Sequence, residues 1–181
     1  VELEYTGRTV AVREFQGGRG MAGAPKVEPD ILVPEIRYFT NDSWEVVSAF
    51  TSPTKTSGTP ILLSAKYSKG VFYVLTIPNA LGDLYSYPQT VLRAIRDVLA
   101  RDMYVRLDAP SRVSLFVYDN DTFIVESFQD SPVEARIVAD KRITKIRDIL
   151  SGEELTGTVQ GANTVFQVPL TRASYRVFAA Q

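Results

Sequence analysis

The chain has no cysteine and no histidine among its 181 residues. Without cysteine there are no disulfides, no thiolate zinc sites and no cysteine nucleophile. Without histidine every Ser-His-Asp or Cys-His arrangement is excluded, and so are His-ligated transition-metal sites. Any chemistry falls to carboxylates, Lys, Tyr, Ser or Thr; no catalytic residue is assigned and no cofactor is expected. An excess of one charge is also lacking. The 20 Lys and Arg stand against 21 Asp and Glu, so the basic surplus that neutralises phosphates is missing and a nucleic-acid partner is not expected. No apolar run approaches the length of a membrane helix, and no signal-peptide pattern opens the chain. The first residue is Val1 rather than Met, which suggests a piece of a longer polypeptide, so the compartment stays unassigned.

What is present reads as two regions. Thr9 to Phe15 alternates like a half-buried strand, and Gln16 to Pro34, rich in Gly and Pro, reads as a long loop. Ile36 to Thr40 and Trp44 to Thr51 read as strands, although WEVVSAF could also be a short helix started by Asp42 or Ser43. Pro60 to Tyr67 and Val71 to Ile77 flank Ser68-Lys69-Gly70, a compact hairpin turn. A helix is expected at Tyr87 to Arg101, with Val91, Leu92, Ile95, Val98 and Leu99 forming its apolar stripe and Arg93, Arg96 and Asp97 facing out. Ser86 and Gln89 have the spacing of a capping box.

After Asp102 the pattern becomes short strand-like runs separated by turn residues: YVRLD, RVSLFVYD, TFIVESF, VEARIVAD, ITKIRDIL, TVFQVPL and SYRVFA. That spacing marks an antiparallel sandwich. The expected fold is an α+β or partial α/β region over residues 1–102, with one main helix packed on a sheet, followed by an all-β antiparallel sandwich over 103–181.

Five features invite a functional reading, each beside a structural one. Gly18-Arg19-Gly20-Met21-Ala22-Gly23 has GxGxxG spacing, but Pro25 and Pro29 deny it the helix that a dinucleotide site requires. Asp119 and Asp121, flanking Asn120, offer oxygens for a calcium ion, although Asn and Asp are also what a tight hairpin demands. Glu126 shares one face of its strand with Ile124 and Phe128. It could be an acid of raised pKa or the partner of Arg112, Arg136 or Arg176. Tyr67, Phe72, Tyr73, Tyr85 and Tyr87 could form a sugar-stacking platform or ordinary core. Asn79, Asp83 and Tyr85 occupy the loop between a strand and the helix, where ligands sit in open α/β sheets; the loop could equally be a simple strand-to-helix transition.

The order PILLSAKYSKGVFYVLTIPNALGDLYSYPQTVLRAIRDVLA resembles the back end of a glutamine-amidotransferase-like α/β domain. Such domains, stripped of catalytic residues, occur in multidomain glycoside hydrolases, for example as the trimerisation domain of certain β-galactosidases. VSLFVYDNDTFIVESF, ITKIRDILSGEEL and TVFQVPLTRASYRVF resemble the small C-terminal β-sandwich of many glycosidases. The amidotransferase nucleophile and base would be Cys and His, so that activity does not carry over. The resemblance implies a non-catalytic accessory region of a larger carbohydrate-active protein. Its partners would be the rest of a longer polypeptide or further copies of itself. A carbohydrate-binding module is the alternative. A carboxylate-dependent glycoside hydrolase using Asp83, Asp119, Asp121 or Glu126 ranks third.

Overall fold

The computed structural model describes residues 2–17, 25–39, 43–51 and 58–181, with the side chains of Ser43 and Trp44 left aside. The GxGxxG segment and Asp42 lie outside the described residues, as does the side chain of Trp44. The chain divides into two compact units, Val1–Ile95 and Arg96–Gln181.

The first unit is built on one antiparallel sheet of order β2-β1-β3-β4-β5. Its strands are β1 (Glu2–Gly17), β2 (Lys26–Phe39), β3 (Ser43–Phe50), β4 (Thr59–Tyr67) and β5 (Gly70–Leu75). The described residues of the long loop expected at Gln16 to Pro34 are therefore largely strand. Pro29 and Pro34 sit in β2, the outer strand of the sheet, where a missing N–H costs little of the ladder. Composition pointed to a loop; edge position makes the same residues compatible with a strand. Ser68, at φ 52°, turns the chain between β4 and β5, where Tyr67 pairs with Gly70.

Chain length shows that this sheet is strongly curved. Phe39 lies opposite Glu2, and Val47 lies opposite Gly17. The connection from 39 to 47 can reach about 28 Å, whereas a straight strand from 2 to 17 would span about 50 Å. β1 must bend. It does so through register breaks between Tyr5 and Thr9 and between Val12 and Glu14, with Gly7 at φ 76° inside the first. The Tyr38 hydroxyl donates to Glu45 Oε1 at 2.7 Å, linking the end of β2 to the start of β3.

Every described pairing in this sheet is antiparallel. The parallel strands of an amidotransferase-like domain are not found among the described residues. The crevice at the carboxyl ends of parallel strands goes with them. A short 3-10 helix, Leu81–Ser86, precedes helix α1, Gln89–Leu99. The helix starts later than expected: the Pro88 carbonyl accepts from the amides of Val91 and Leu92, so Ser86 is not its N-cap. Val91 and Ile95 are buried as expected, but Leu99 is 71% exposed. Just ahead of the helix, Tyr87 packs edge-on against Phe15 of β1, ring centres 5.3 Å apart.

The second unit is a sandwich of two antiparallel sheets. One has the order β11-β10-β14-β8-β7 and the other β12-β13-β9-β6. Their strands are β6 (Val105–Asp108), β7 (Val113–Val117), β8 (Thr122–Ser127), β9 (Val133–Asp140), β10 (Lys145–Asp148), β11 (Glu154–Thr156), β12 (Thr158–Gln160), β13 (Asn163–Leu170) and β14 (Ser174–Ala180). Inward residues of both sheets, among them Phe123, Val125, Ile137, Ile146, Phe166 and Phe178, form one core. Phe123 and Phe178 stack with centres 5.3 Å apart. The short strands β11 and β12, not anticipated from the sequence, carry the chain from one sheet to the other through Gly157. Its amide donates to Thr144 O at 3.0 Å.

Candidate functional site

The strand-to-helix loop around Asn79 is tied to the sheet at both ends. Its start is tied to β4: Thr76 N donates to Ile61 O and Thr76 Oγ1 to Pro60 O, both at 2.8 Å. Asn79 then reaches the opposite side of the sheet. Its amide donates to Leu32 O on β2 at 2.9 Å, and its Nδ2 donates to Thr9 Oγ1 on β1 at 3.0 Å. The loop thus binds the outer strand β2, and Asn79 spends its backbone donor and one side-chain donor on the sheet.

Asp83 lies in the first turn of the 3-10 helix, its amide donating to Ala80 O at 2.9 Å. Burial, and secondarily the Asp83 carboxylate, push the Tyr87 hydroxyl well above the usual phenol range. That hydroxyl is buried with no hydrogen-bond partner among the described residues. Tyr85 stands exposed on the 3-10 helix.

Asp119, Asn120 and Asp121 form the turn between β7 and β8. Asp121 adopts φ 59°, and the Tyr118 amide donates to Thr122 O at 3.0 Å across the turn. Asn120 Oδ1 accepts from Thr122 Oγ1 at 2.5 Å, and Asp121 Oδ1 lies 3.4 Å from Arg142 Nη2. Among the described residues no group of three or more Asp or Glu gathers as a metal cluster. Along extended chain Asp121 is about 16 Å from Glu126, beyond the roughly 5–9.5 Å that a glycosidase carboxylate pair spans.

Glu126 lies on the outer face of β8, because Phe123, Val125 and Ser127 take the core side. Its cross-strand neighbours are Ser114 on β7 and Tyr175 on β14. Ile124 flanks it along the strand, and by alternation Phe128 lies on the same face one position past the strand end. The next row pairs Phe116, Ile124 and Val177. The result is a carboxylate flanked by aromatic rings that remain open to solvent: Phe116 45%, Phe128 54% and Tyr175 57% exposed. The aromatic set expected in the first unit does not form such a group. Tyr87 is buried, and register puts Tyr73 on the opposite face of its hairpin from Tyr67 and Phe72.

Two of the arginines suggested for Glu126 are committed elsewhere. Arg136 lies 3.2 Å from Asp108 and donates to Gln160 Oε1 at 3.0 Å on the other sheet. Arg176 belongs to an ion cluster that sequence reading missed. Its Nε lies 2.7 Å from Asp148 Oδ2 and its Nη2 2.5 Å from Glu153 Oε2, and its guanidinium sits 5.0 Å from the Phe178 ring centre. Asp148 Oδ1 also accepts from the amides of Leu150 and Ser151, at 2.9 and 3.3 Å. Burial opposes its ionisation, but Arg176 and these amides outweigh that and hold its carboxyl below the usual range. The turn signal was present in DILSG; its partner, 28 residues away, was not. Arg96 also departs from expectation. Instead of facing out, it donates to the carbonyls of Ala109, Pro110 and Val113. Burial pulls its pKa down from the usual guanidinium value, and Asp108 partly offsets this.

Comparison with known proteins bears on the sandwich. Residues 104–180 match a family described as the C-terminal domain of probable glycosyl hydrolases. No curated protein sequence matches the chain. Among solved structures, the GH42 β-galactosidase Gan42B aligns over 98% of this chain and 22% of its own, at 15% identity and a TM-score of 0.40. An α-L-fucosidase, isoenzyme 2 from Paenibacillus thiaminolyticus, aligns over 95% of this chain and 32% of its own, at 15% identity and a TM-score of 0.42. The chain therefore spans about a fifth to a third of the length of these two structures.

Proposed function

We propose that the chain is a non-catalytic accessory region of a larger carbohydrate-active protein, which packs against or oligomerises a catalytic domain. The match of residues 104–180 to a glycosyl hydrolase C-terminal domain carries this reading. Residues 1–102 are proposed as the interface domain and 103–181 as the sandwich domain. The first supplies apolar surface for docking. Leu3 and Tyr5 share one face of the β1–β2 ribbon, opposite Tyr38 and Ile36, and are exposed; Tyr67, Val71 and Phe72 are exposed on the β4–β5 hairpin. The separation of Asp121 and Glu126 argues against a hydrolase that uses those two as its carboxylate pair.

Two measurements test this. The isolated chain should hydrolyse no nitrophenyl glycoside; turnover abolished by Glu126→Gln would overturn the non-catalytic assignment. In sedimentation velocity the chain should associate with rising concentration, and Phe72→Glu should suppress that association. A strictly monomeric chain would refute oligomerisation through this surface.

A further inference from the structure

The two outer faces of the sandwich differ in kind. On the four-stranded sheet the polar side chains satisfy one another: Arg136 with Asp108 and Gln160, and Arg106 Nη2 with Asn163 Oδ1 at 2.9 Å. On the five-stranded sheet the rings of Phe116, Phe128 and Tyr175 stand open around Glu126, with Ser114 directly across from it. Side chains that bond their own neighbours need only water. Open rings around a carboxylate make a surface with a use.

We propose that this face, centred on Glu126, binds a neutral, extended glycan chain. Pyranose rings have an apolar C–H face that stacks on aromatic rings, and hydroxyls at their rim that a carboxylate and a serine accept or donate to. Binding sites of this kind combine much apolar surface with a few placed polar groups. Size separates this occupant from a protein. Three aromatic side chains of 150–250 Å² at about half exposure offer about 300 Å². A stable protein interface needs about 800 Å² on each partner. Charge selects among glycans. A carboxylate at the centre of the face repels uronates, so the chain that binds is neutral. A sheet face, with strands about 4.8 Å apart, is broad and open, and suits an extended chain lying across β7, β8 and β14. The proposal is independent of the interface role, which falls on the first unit.

The test is a ¹H–¹⁵N NMR titration of the whole chain with cellotetraose, β-1,4-galactotetraose, mannotetraose and tetragalacturonate. At least one neutral tetraose should shift the amides of Ser114, Phe116, Glu126 and Tyr175, and tetragalacturonate should not. Phe116→Ala with Tyr175→Ala should weaken binding by about tenfold or more. Because that variant removes two rings, Glu126→Gln serves as a shape-preserving second, expected to weaken binding severalfold. The proposal is overturned if no neutral tetraose shifts these amides or if the shifts map to another surface. It also fails if tetragalacturonate binds as well, or if neither variant weakens binding. Self-association abolished by Phe116→Ala would instead make the face a protein interface, and would also sink the proposal.

Discussion

Replacing Arg176 by Met should be among the most destabilising single changes in the sandwich. Its side chain is 14% exposed and that of Asp148 is 5%, so the substitution strands a carboxylate in a nearly dry site. Removing one partner of a buried pair costs about 3–5 kcal/mol. The lower end applies here, because Asp148 keeps the Leu150 and Ser151 amides. Arg176→Met should therefore cost about 3 kcal/mol. Asp148→Asn should cost less, about 1–2 kcal/mol, since the guanidinium retains Glu153. The double variant buries no orphaned charge, so the two losses should fall short of additivity by about 2 kcal/mol.

The chain has two units, and a global melt would mix them, so the proper readout is hydrogen exchange of the slowest amides in β8, β13 and β14. Acid should reveal the same cluster. The folded Asp148 pKa lies below its ordinary value, so its contribution is fully present above the unfolded value of about 3.9 and fades as pH falls through the folded one. The unsubstituted protein should lose stability relative to Asp148→Asn only below about pH 4. Strict additivity of the two substitutions, or parallel acid profiles, would refute this account.

Three further outcomes are expected. Gly157→Ala would place a Cβ 2.3 Å from Thr164 Cγ2 and 2.7 Å from Phe166 Cε1, and should cost about 1–3 kcal/mol in the sandwich, read by the same exchange experiment. Tyr87→Phe removes a buried hydroxyl that has no partner among the described residues while keeping the ring against Phe15; thermal melting of the first unit should be unchanged or rise, by up to about 1 kcal/mol in stability. In alkaline titration followed at 295 nm, Tyr38 should ionise near 12, raised by burial and then by its bond to Glu45. That contribution is present below the unfolded value of about 10 and is lost as pH rises through the folded one. Glu45→Gln should bring the ionisation closer to the ordinary value.

The sandwich was legible because its strands alternate strictly: β8 and β9 bury every second residue, and the turns between runs are marked by Asp, Asn and Gly. The first region was harder to read. Pro29 and Pro34 looked like loop punctuation until edge position made them strand residues, and β4 buries residues on both faces and shows no alternation. Arg96 sat at an outward helical position by periodicity, yet it turns to three backbone carbonyls. Periodicity assigns faces within an element and knows nothing of acceptors on other segments.

The same division holds for function. By itself the sequence excluded chemistry through His or Cys, located an antiparallel sandwich after Asp102, and singled out Glu126 and the loop at Asn79. Composition and local alternation suffice for that, because they are properties of neighbouring residues. Only the tertiary structure decided that Asn79 ties its loop to β1 and β2, that Arg176 answers Asp148 rather than Glu126, and that Glu126 is ringed by Phe116, Phe128 and Tyr175. Those partners lie on strands distant in sequence. Strand order and register bring them together, and neither is written in any one segment.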